Sequence, residues 1–263
     1  MFDNVCKFLA ETFSTDFATW LLGEPIALTE LSPNELSLEP IRADALILLQ
    51  SSEVVLHLEF QTQPDADMPF RMIDYRLRVY RRFPHKRMRQ VVIYLKQTSS
   101  ELVQKNIFAI PGTRHEFEVI RLWEQPTEIL LQYAGLLPLA VLGATEDRSR
   151  ILRQVAQEIE AVNDRRQQSN VAAATSILAG LVLDQRLIQR ILRQDVMKES
   201  VIYQEIKAEG LAEGRAEGLQ QGIQEGIRRV AMNLLKTGMP VEEIVKVTGL
   251  SVEQIQSLQQ DTE

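Results

Sequence analysis

Apolar residues recur through the first twenty positions at intervals of three and four. Val5, Leu9, Phe13, Phe17 and Trp20–Leu21 form one stripe, and Gly23–Glu24–Pro25 closes it, which predicts an N-terminal helix. A polar, Pro-containing stretch follows to about Glu39. Two runs of strand character come next, Ala43–Leu49 and Val54–Thr62, joined as a hairpin through Gln50–Glu53. A helix is predicted over Met68–Phe83, with Asp67 as its N-cap and Pro69 in its first turn. On its helical wheel Phe70, Ile73, Leu77, Tyr80 and Phe83, with Met72 and Val79, make a broad apolar arc suited to the core. Arg71, Arg78 and Arg82 make a basic stripe on the other side, with Tyr75 at its border. Val91–Leu95 reads as a short buried strand and His115–Trp123 as another. The order helix, hairpin, helix, strand, strand predicts an α/β core of about 125 residues.

From about Thr145 the pattern becomes helical throughout, as in Ile151, Val155 and Ile159 or Leu187 and Ile191. Gly210, Gly214, Gly218, Gly222 and Gly226 form a strict four-residue repeat, and the tail after Arg228 reads as short helices stopped by Gly238 and Gly249. Four segments follow: an α/β domain over 1–145, a helical region over 146–205, a glycine-repeat helix or linker over 206–227 and a small helical tail over 228–263. Glycine costs a helix about 1 kcal/mol relative to alanine, so five in register ask for close helix approach or a pliable arm. Self-association through this segment, giving a homo-oligomer, is one expectation. The tail has helix-turn-helix spacing with Ser251 as an N-cap, yet Val252–Leu258 contains Glu253 and no Lys or Arg. A packing or protein-contact module fits it better than a DNA reader.

Composition narrows the class. Hydrophobic residues at 45% and charged residues at 25% are ordinary globular values and exclude a mainly disordered chain. The longest nearly uncharged apolar stretches, Ile129–Ala144 and Val171–Leu183, fall short of the ~18–20 residues of a membrane helix. No signal peptide is visible, and the single cysteine, Cys6, excludes an intrachain disulfide and a cysteine-based zinc site. A cytoplasmic protein without membrane contact is the expectation. The net charge of −7 hides an asymmetry. Residues 1–68 hold twelve acids against Lys7 and Arg42, whereas residues 69–90 hold seven Arg and Lys86 against Asp74 alone. A block that basic has phosphate as its commonest target.

The hairpin holds the candidate chemistry. A loop centred between Ser51 and Ser52 sets Asp44 opposite Glu59, Arg42 opposite Gln61 and Leu46 opposite His57. Arg42, Asp44, His57, Glu59 and Gln61 then share one face, and Ala45, Ile47, Leu49, Leu56, Leu58 and Phe60 the other. Directly opposed carboxylates repel, so a positive group belongs between them. It is either Arg42, one pleat away, or a hard cation such as Mg²⁺ or Mn²⁺ that needs only one or two carboxylates. Arg76 falls within the apolar arc of the next helix, and a buried arginine there needs an acid, for which the Asp44–Glu59 face is the nearest place.

At these residues the chain resembles the PD-(D/E)xK nuclease superfamily, and within it the bacterial Rpn family of recombination-promoting nucleases and putative transposases. The likeness runs over about residues 1–125, through Asp44 in IRAD, Glu59-Phe60-Gln61 and the helix FRMIDYRLRVY with its Arg71-x-x-x-Tyr75 spacing; the glycine repeat and helical tail are also like that family. The resemblance implies a restriction-endonuclease-like core, a mixed sheet flanked by helices, and Mg²⁺-dependent DNA cleavage. Asp44 and Glu59 take the metal-ligand positions, and Gln61 takes the place of the motif's lysine. Ala43 replaces the motif's proline, which is not a ligand. The change to Gln61 alters the chemistry, because an amide orients water or a phosphate oxygen but cannot act as a base.

The expected function is therefore a metal-dependent DNA endonuclease of low sequence specificity. Asp44, Glu59 and Gln61 form its catalytic set; Arg71, Arg78 and Arg82 contact the phosphate backbone; Arg42, His57, Tyr75 and Arg76 support the site. The alternative is a DNA-binding or protein-interaction module on the same fold, its acids neutralised by Arg42 or Arg76. A strand-joining transposase rests on the family's label alone.

Overall fold

The computed structural model describes residues 2–31, 46–192, 194–197 and 199–260. The N-terminal stripe is shared by two helices instead of one, α1 (Phe2–Thr12) and α2 (Ser14–Leu22). The break falls at Phe13, and the freed polar groups are used elsewhere. Ser14 Oγ donates to the Leu28 carbonyl at 2.8 Å, and Asp16 Oδ2 accepts the Gly135 amide at 2.9 Å. A Cβ at Gly135 would overlap the Phe13 side chain, so only glycine lets this turn approach α2.

The strands are β1 (Thr29–Glu30), β2 (Leu46–Gln50), β3 (Val54–Gln61), β4 (Arg87–Tyr94), β5 (Ile107–Ile110), β6 (Thr113–Glu116) and β7 (Glu118–Arg121). Five of them form a mixed sheet in the order β1-β2-β3-β4-β7, antiparallel up to β3 and parallel beyond it. Helix α3 (Met68–Arg82) makes the crossover from β3 to β4. The strand expected over His115–Trp123 divides at Phe117: β6 pairs with β5 in a separate hairpin, and β7 joins the main sheet. This is an α/β architecture with a mixed sheet flanked by helices. Phe60, on one face of β3, meets Phe17 of α2 edge-on at 6.2 Å. The opposite face lies under α3, where Leu48, Val55, Tyr75 and Val79 pack together with Leu31.

Two details of register and facing depart from expectation. β2 and β3 pair Leu46 with Glu59 and Leu48 with His57, so Glu59 does not oppose Asp44, nor His57 Leu46. The turn is centred one residue later, between Ser52 and Glu53, because Ser51 closes it: its amide donates to the Val54 carbonyl at 2.9 Å and its Oγ accepts the Glu53 and Val54 amides. A shift of two preserves which residues share a face, so only the partners change. Helix α3 is rotated relative to its predicted arc. Met68, Met72, Ile73, Tyr75 and Val79 are buried, while Phe70, Leu77 and Tyr80 are 56–60% exposed. Asp67 makes no side-chain cap; Asp65 accepts the Asp67 amide instead at 2.9 Å.

The later helices are α4 (Thr127–Leu130), α5 (Leu137–Ala140), α6 (Arg148–Glu160), α7 (Arg165–Ala179), α8 (Gln185–Ile191), α9 (Gln194–Met197), α10 (Val201–Lys236), α11 (Val241–Thr248) and α12 (Val252–Gln260). Helix α7 packs against both α1 and α5, so the helical region belongs to the same unit as the sheet. The chain divides into Met1–Gln204 and Glu205–Glu263, not near 145. In the second unit the glycine repeat is helical, within α10, and the end of α10 with α11 and α12 encloses Ala231, Ile244, Ile255 and Leu258. Gly238 and Gly249 turn the chain with positive φ, and Ser251 and Gln254 cap α12 reciprocally, Gln254 N to Ser251 Oγ and Ser251 N to Gln254 Oε1. No helix among the described residues is long and apolar enough to cross a membrane.

Candidate functional site

His57, Glu59 and Gln61 alternate along β3 on the face covered by α3, and neither His57 nor Glu59 has any exposed surface. Removing a carboxylate from water costs several kcal/mol unless charge and hydrogen bonds replace its hydration. Glu59 has both. Arg71 of α3 donates from Nη2 to Oε2 at 2.9 Å, and His57 Nε2 lies 3.4 Å from Oε1. The same guanidinium, 29% exposed, reaches Asp65 Oδ2 at 3.4 Å. Burial works to lower the Arg71 pKa, but Glu59, Tyr75 and Asp65 outweigh it and the net direction is upward. Burial raises the Tyr75 phenol, with Glu59 adding to the effect and Arg71 opposing it. Asp3, in the first turn of α1, belongs to the same electrostatic cluster. Burial pushes its carboxyl up, Glu59 pushes the same way, and Arg71 counters.

A chain of hydrogen bonds leads away from Glu59 across the sheet. Gln90 of β4, itself buried, lies beside His57; its Nε2 donates to the Met72 carbonyl at 2.7 Å and sits 3.0 Å from His57 Nδ1. The Met72 carbonyl can only accept, which fixes the amide orientation. His57 Nδ1 must therefore accept from Gln90, leaving Nε2–H to donate to Glu59. Gln90 Oε1 in turn accepts from His115 Nε2 at 2.9 Å. An amide in the middle of such a chain orients its neighbours but does not relay protons, so no proton path runs from His57 through Gln90 to His115.

The other expected residues are placed as follows. Gln61 is half-buried at the carboxyl end of β3, one pleat beyond Glu59, with its carbonyl accepting the Leu95 amide at 2.9 Å. Asp44 and Arg42 lie outside the described residues. Arg76 does not meet Glu59; its Nη1 donates to the Met88 carbonyl at 3.0 Å, and Arg71 occupies the position expected of it. Of the predicted phosphate contacts, Arg71 is engaged with Glu59 and Arg78 with Asp74 at 2.9 Å, which leaves Arg82 exposed beside Phe83. Lys86 staples the β2–β3 turn through Gln50 Oε1 and the Ser51 carbonyl, and Arg89 pairs with Glu118 at 2.6 Å. Much of the basic block is thus neutralised within the fold. Asp3 and Gln90 were missed by sequence reasoning; no periodicity marks either, although Gln90 is the one uncharged polar residue in RMRQVVIY.

The donors on this face are hard oxygens, the Glu59 carboxylate and the Gln61 amide, the kind that suits Mg²⁺ or Mn²⁺ and not a soft metal. Among the described residues no three His, Cys, Asp or Glu side chains converge, and the cation that Glu59 holds is the Arg71 guanidinium. No protein-family model matches the chain, and comparison with curated proteins and with solved structures finds no match.

Proposed function

We propose that the chain is a Mg²⁺-dependent DNA endonuclease of low sequence specificity, as its resemblance to the Rpn-type PD-(D/E)xK nucleases implies. The observation that carries the reading is a carboxylate with no exposed surface near the carboxyl end of β3, followed on the same face by half-buried Gln61. Open α/β sheets bind ligands at the carboxyl ends of their strands, and β3 is where this sheet turns from antiparallel to parallel pairing. The mixed sheet flanked by helices is consistent with the implied core.

Asp44 and Glu59 would hold the ion, which supplies Lewis-acid polarisation of the scissile phosphate and a more acidic bound water. Gln61 orients the attacking water or a phosphate oxygen, since its amide both donates and accepts. His57 fixes the Glu59 carboxylate from behind. Arg71, shared between Glu59 and Asp65, is drawn to phosphate when DNA arrives, and exposed Arg82 on the same helix stripe extends that attraction along the backbone.

The test is supercoiled plasmid incubated with Mg²⁺ and the native chain, Asp44→Ala or Glu59→Gln. Nicking by the native chain that both variants lose, with DNA retention unchanged, is the expected result. Identical behaviour of all three proteins overturns it and favours the second reading, a non-catalytic DNA-binding or protein-contact module. One observation speaks for that alternative: the Glu59 carboxylate is paired with the Arg71 guanidinium.

A further inference from the structure

The hydrogen-bond chain that starts at Glu59 ends in a separate recess. A cavity of about 460 Å³ lies between α3, β4 and the β6–β7 segment, lined by Arg76, Met88, Gln90, Asn106, His115 and Phe117, with Arg89, Glu116 and Glu118 also on its wall. Its volume falls within the range of small-ligand sites. The wall carries two arginines and two glutamates, but their pairing leaves one arginine over. Arg89 is paired with Glu118 and Glu116 with Arg114, whereas among the described residues Arg76 has no carboxylate partner and uses its Nη1 on the Met88 carbonyl. Half-buried Arg76 is therefore the unneutralised charge of this recess.

Two more polar side chains line the recess with it. His115 has Nε2–H committed to Gln90 Oε1 at 2.9 Å, which leaves Nδ1 for a ligand, accepting from a P–OH while the ring is neutral and donating only once it is protonated. Burial and, after it, Arg76 hold the His115 pKa below its ordinary value, and an anion bound between the two would relieve the second effect. The Asn106 side chain is exposed at the rim and makes no hydrogen bond among the described residues. A planar guanidinium fork, an imidazole and an amide suit a tetrahedral oxyanion. The rest of the cavity is more than phosphate needs, and it is walled by Met88 and by the Phe117 ring, tilted 30° from His115 at 6.4 Å.

We infer that this recess binds a phosphate monoester attached to a small planar body, a nucleotide being the type, with the phosphate on Arg76, His115 and Asn106 and the body against Met88 and Phe117. The site stands apart from the Glu59 cluster and needs no metal. Either a free mononucleotide or the 5′-terminal phosphate of a DNA strand offers this chemistry.

Calorimetric titration of the full chain in EDTA at fixed ionic strength tests it, with adenosine 5′-monophosphate, adenosine, and a tetranucleotide with and without a 5′-phosphate as probes. The expected result is binding of the phosphorylated member of at least one pair and at least tenfold weaker binding of its unphosphorylated counterpart. Binding of the monophosphate identifies a free nucleotide as sufficient; binding of the phosphorylated tetranucleotide alone assigns the site to strand ends. Arg76→Gln should weaken binding by about tenfold or more and Arg76→Lys by less, because lysine keeps the charge and loses the fork. Arg165→Gln, on α7 and not on the wall of the recess, should bind as the native chain does. Native-like binding by a folded Arg76→Gln, equal binding with and without the phosphate, or no binding of any probe overturns the inference. A plasmid-cleavage failure leaves it untouched, since no step here uses the ion or Glu59.

Discussion

At the scale of residues, the Glu59–Arg71 pair ties the candidate site to the stability of the fold. Removing one partner of a buried pair leaves the other charged without compensation, which costs far more than the pair itself contributes. Arg71→Ala is expected to cost about 2–4 kcal/mol, below the figure for a fully enclosed pair because the guanidinium is 29% exposed. Glu59→Gln removes the buried charge yet keeps an oxygen for Arg71, and about 1 kcal/mol is expected. Urea unfolding of the two variants checks this, and equal losses would show that charge is not what matters at the position. The sequence marked Glu59 and Gln61 through their alternation and family likeness. It misassigned the arginine because a helical wheel gives facing but not position along the helix: Arg76 reaches the Met88 carbonyl of β4, whereas Arg71, five residues nearer the start of α3, reaches Glu59. The true neighbour, Arg71, shares its stripe with Tyr75, which is buried against the His57 ring at 5.1 Å.

At the scale of elements, four of the five strands of the main sheet were legible, whereas β1 lay in a stretch read as polar loop, and the strand partners were less legible still. Val54–Gln61 falls almost where alternation put it, since one long apolar run flanked by turn residues has few other ways to fold. The hairpin register depended on whether the turn centred before or after Ser52, a choice made by the Ser51 hydroxyl and invisible to periodicity. Helix α3 presents two apolar stripes, and counting bulk favoured the one with Phe70, Leu77 and Tyr80. The sheet instead took Met68, Met72, Tyr75 and Val79, whose spacing of four, three and four is equally helical. Phe70 is partly met by Phe108 of β5 at 5.9 Å, a contact across a hairpin that no local pattern foretold. Met72→Ala should therefore cost about 2–5 kcal/mol. Leu77→Lys, in contrast, should change stability by no more than about 0.5 kcal/mol. Thermal unfolding of the pair decides which stripe is buried, and the reverse order would return α3 to its predicted facing.

At the scale of the whole molecule, the change of texture near Thr145 was real but did not mark a boundary. Helices after it, α7 above all, complete the first unit by packing on α1 and α5, and tertiary contact of that kind is not written in local composition. The glycine row of α10 is the feature with the clearest physical reach. At Gly214, Gly218, Gly222 and Gly226 nothing among the described residues lies within 4 Å of where a Cβ would stand, so alanine there gains helix propensity of about 0.5–1 kcal/mol per site. The fourfold alanine variant should melt later by far-UV circular dichroism; earlier melting would mean that the row serves a contact between copies of the chain. In the native sequence the same absence of neighbours leaves the backbone of this stretch guarded by little beyond its own turns. Its amide protons should give way to deuterium long before those of Val91–Tyr94, making the middle of α10 the place where the folded chain first lets water in.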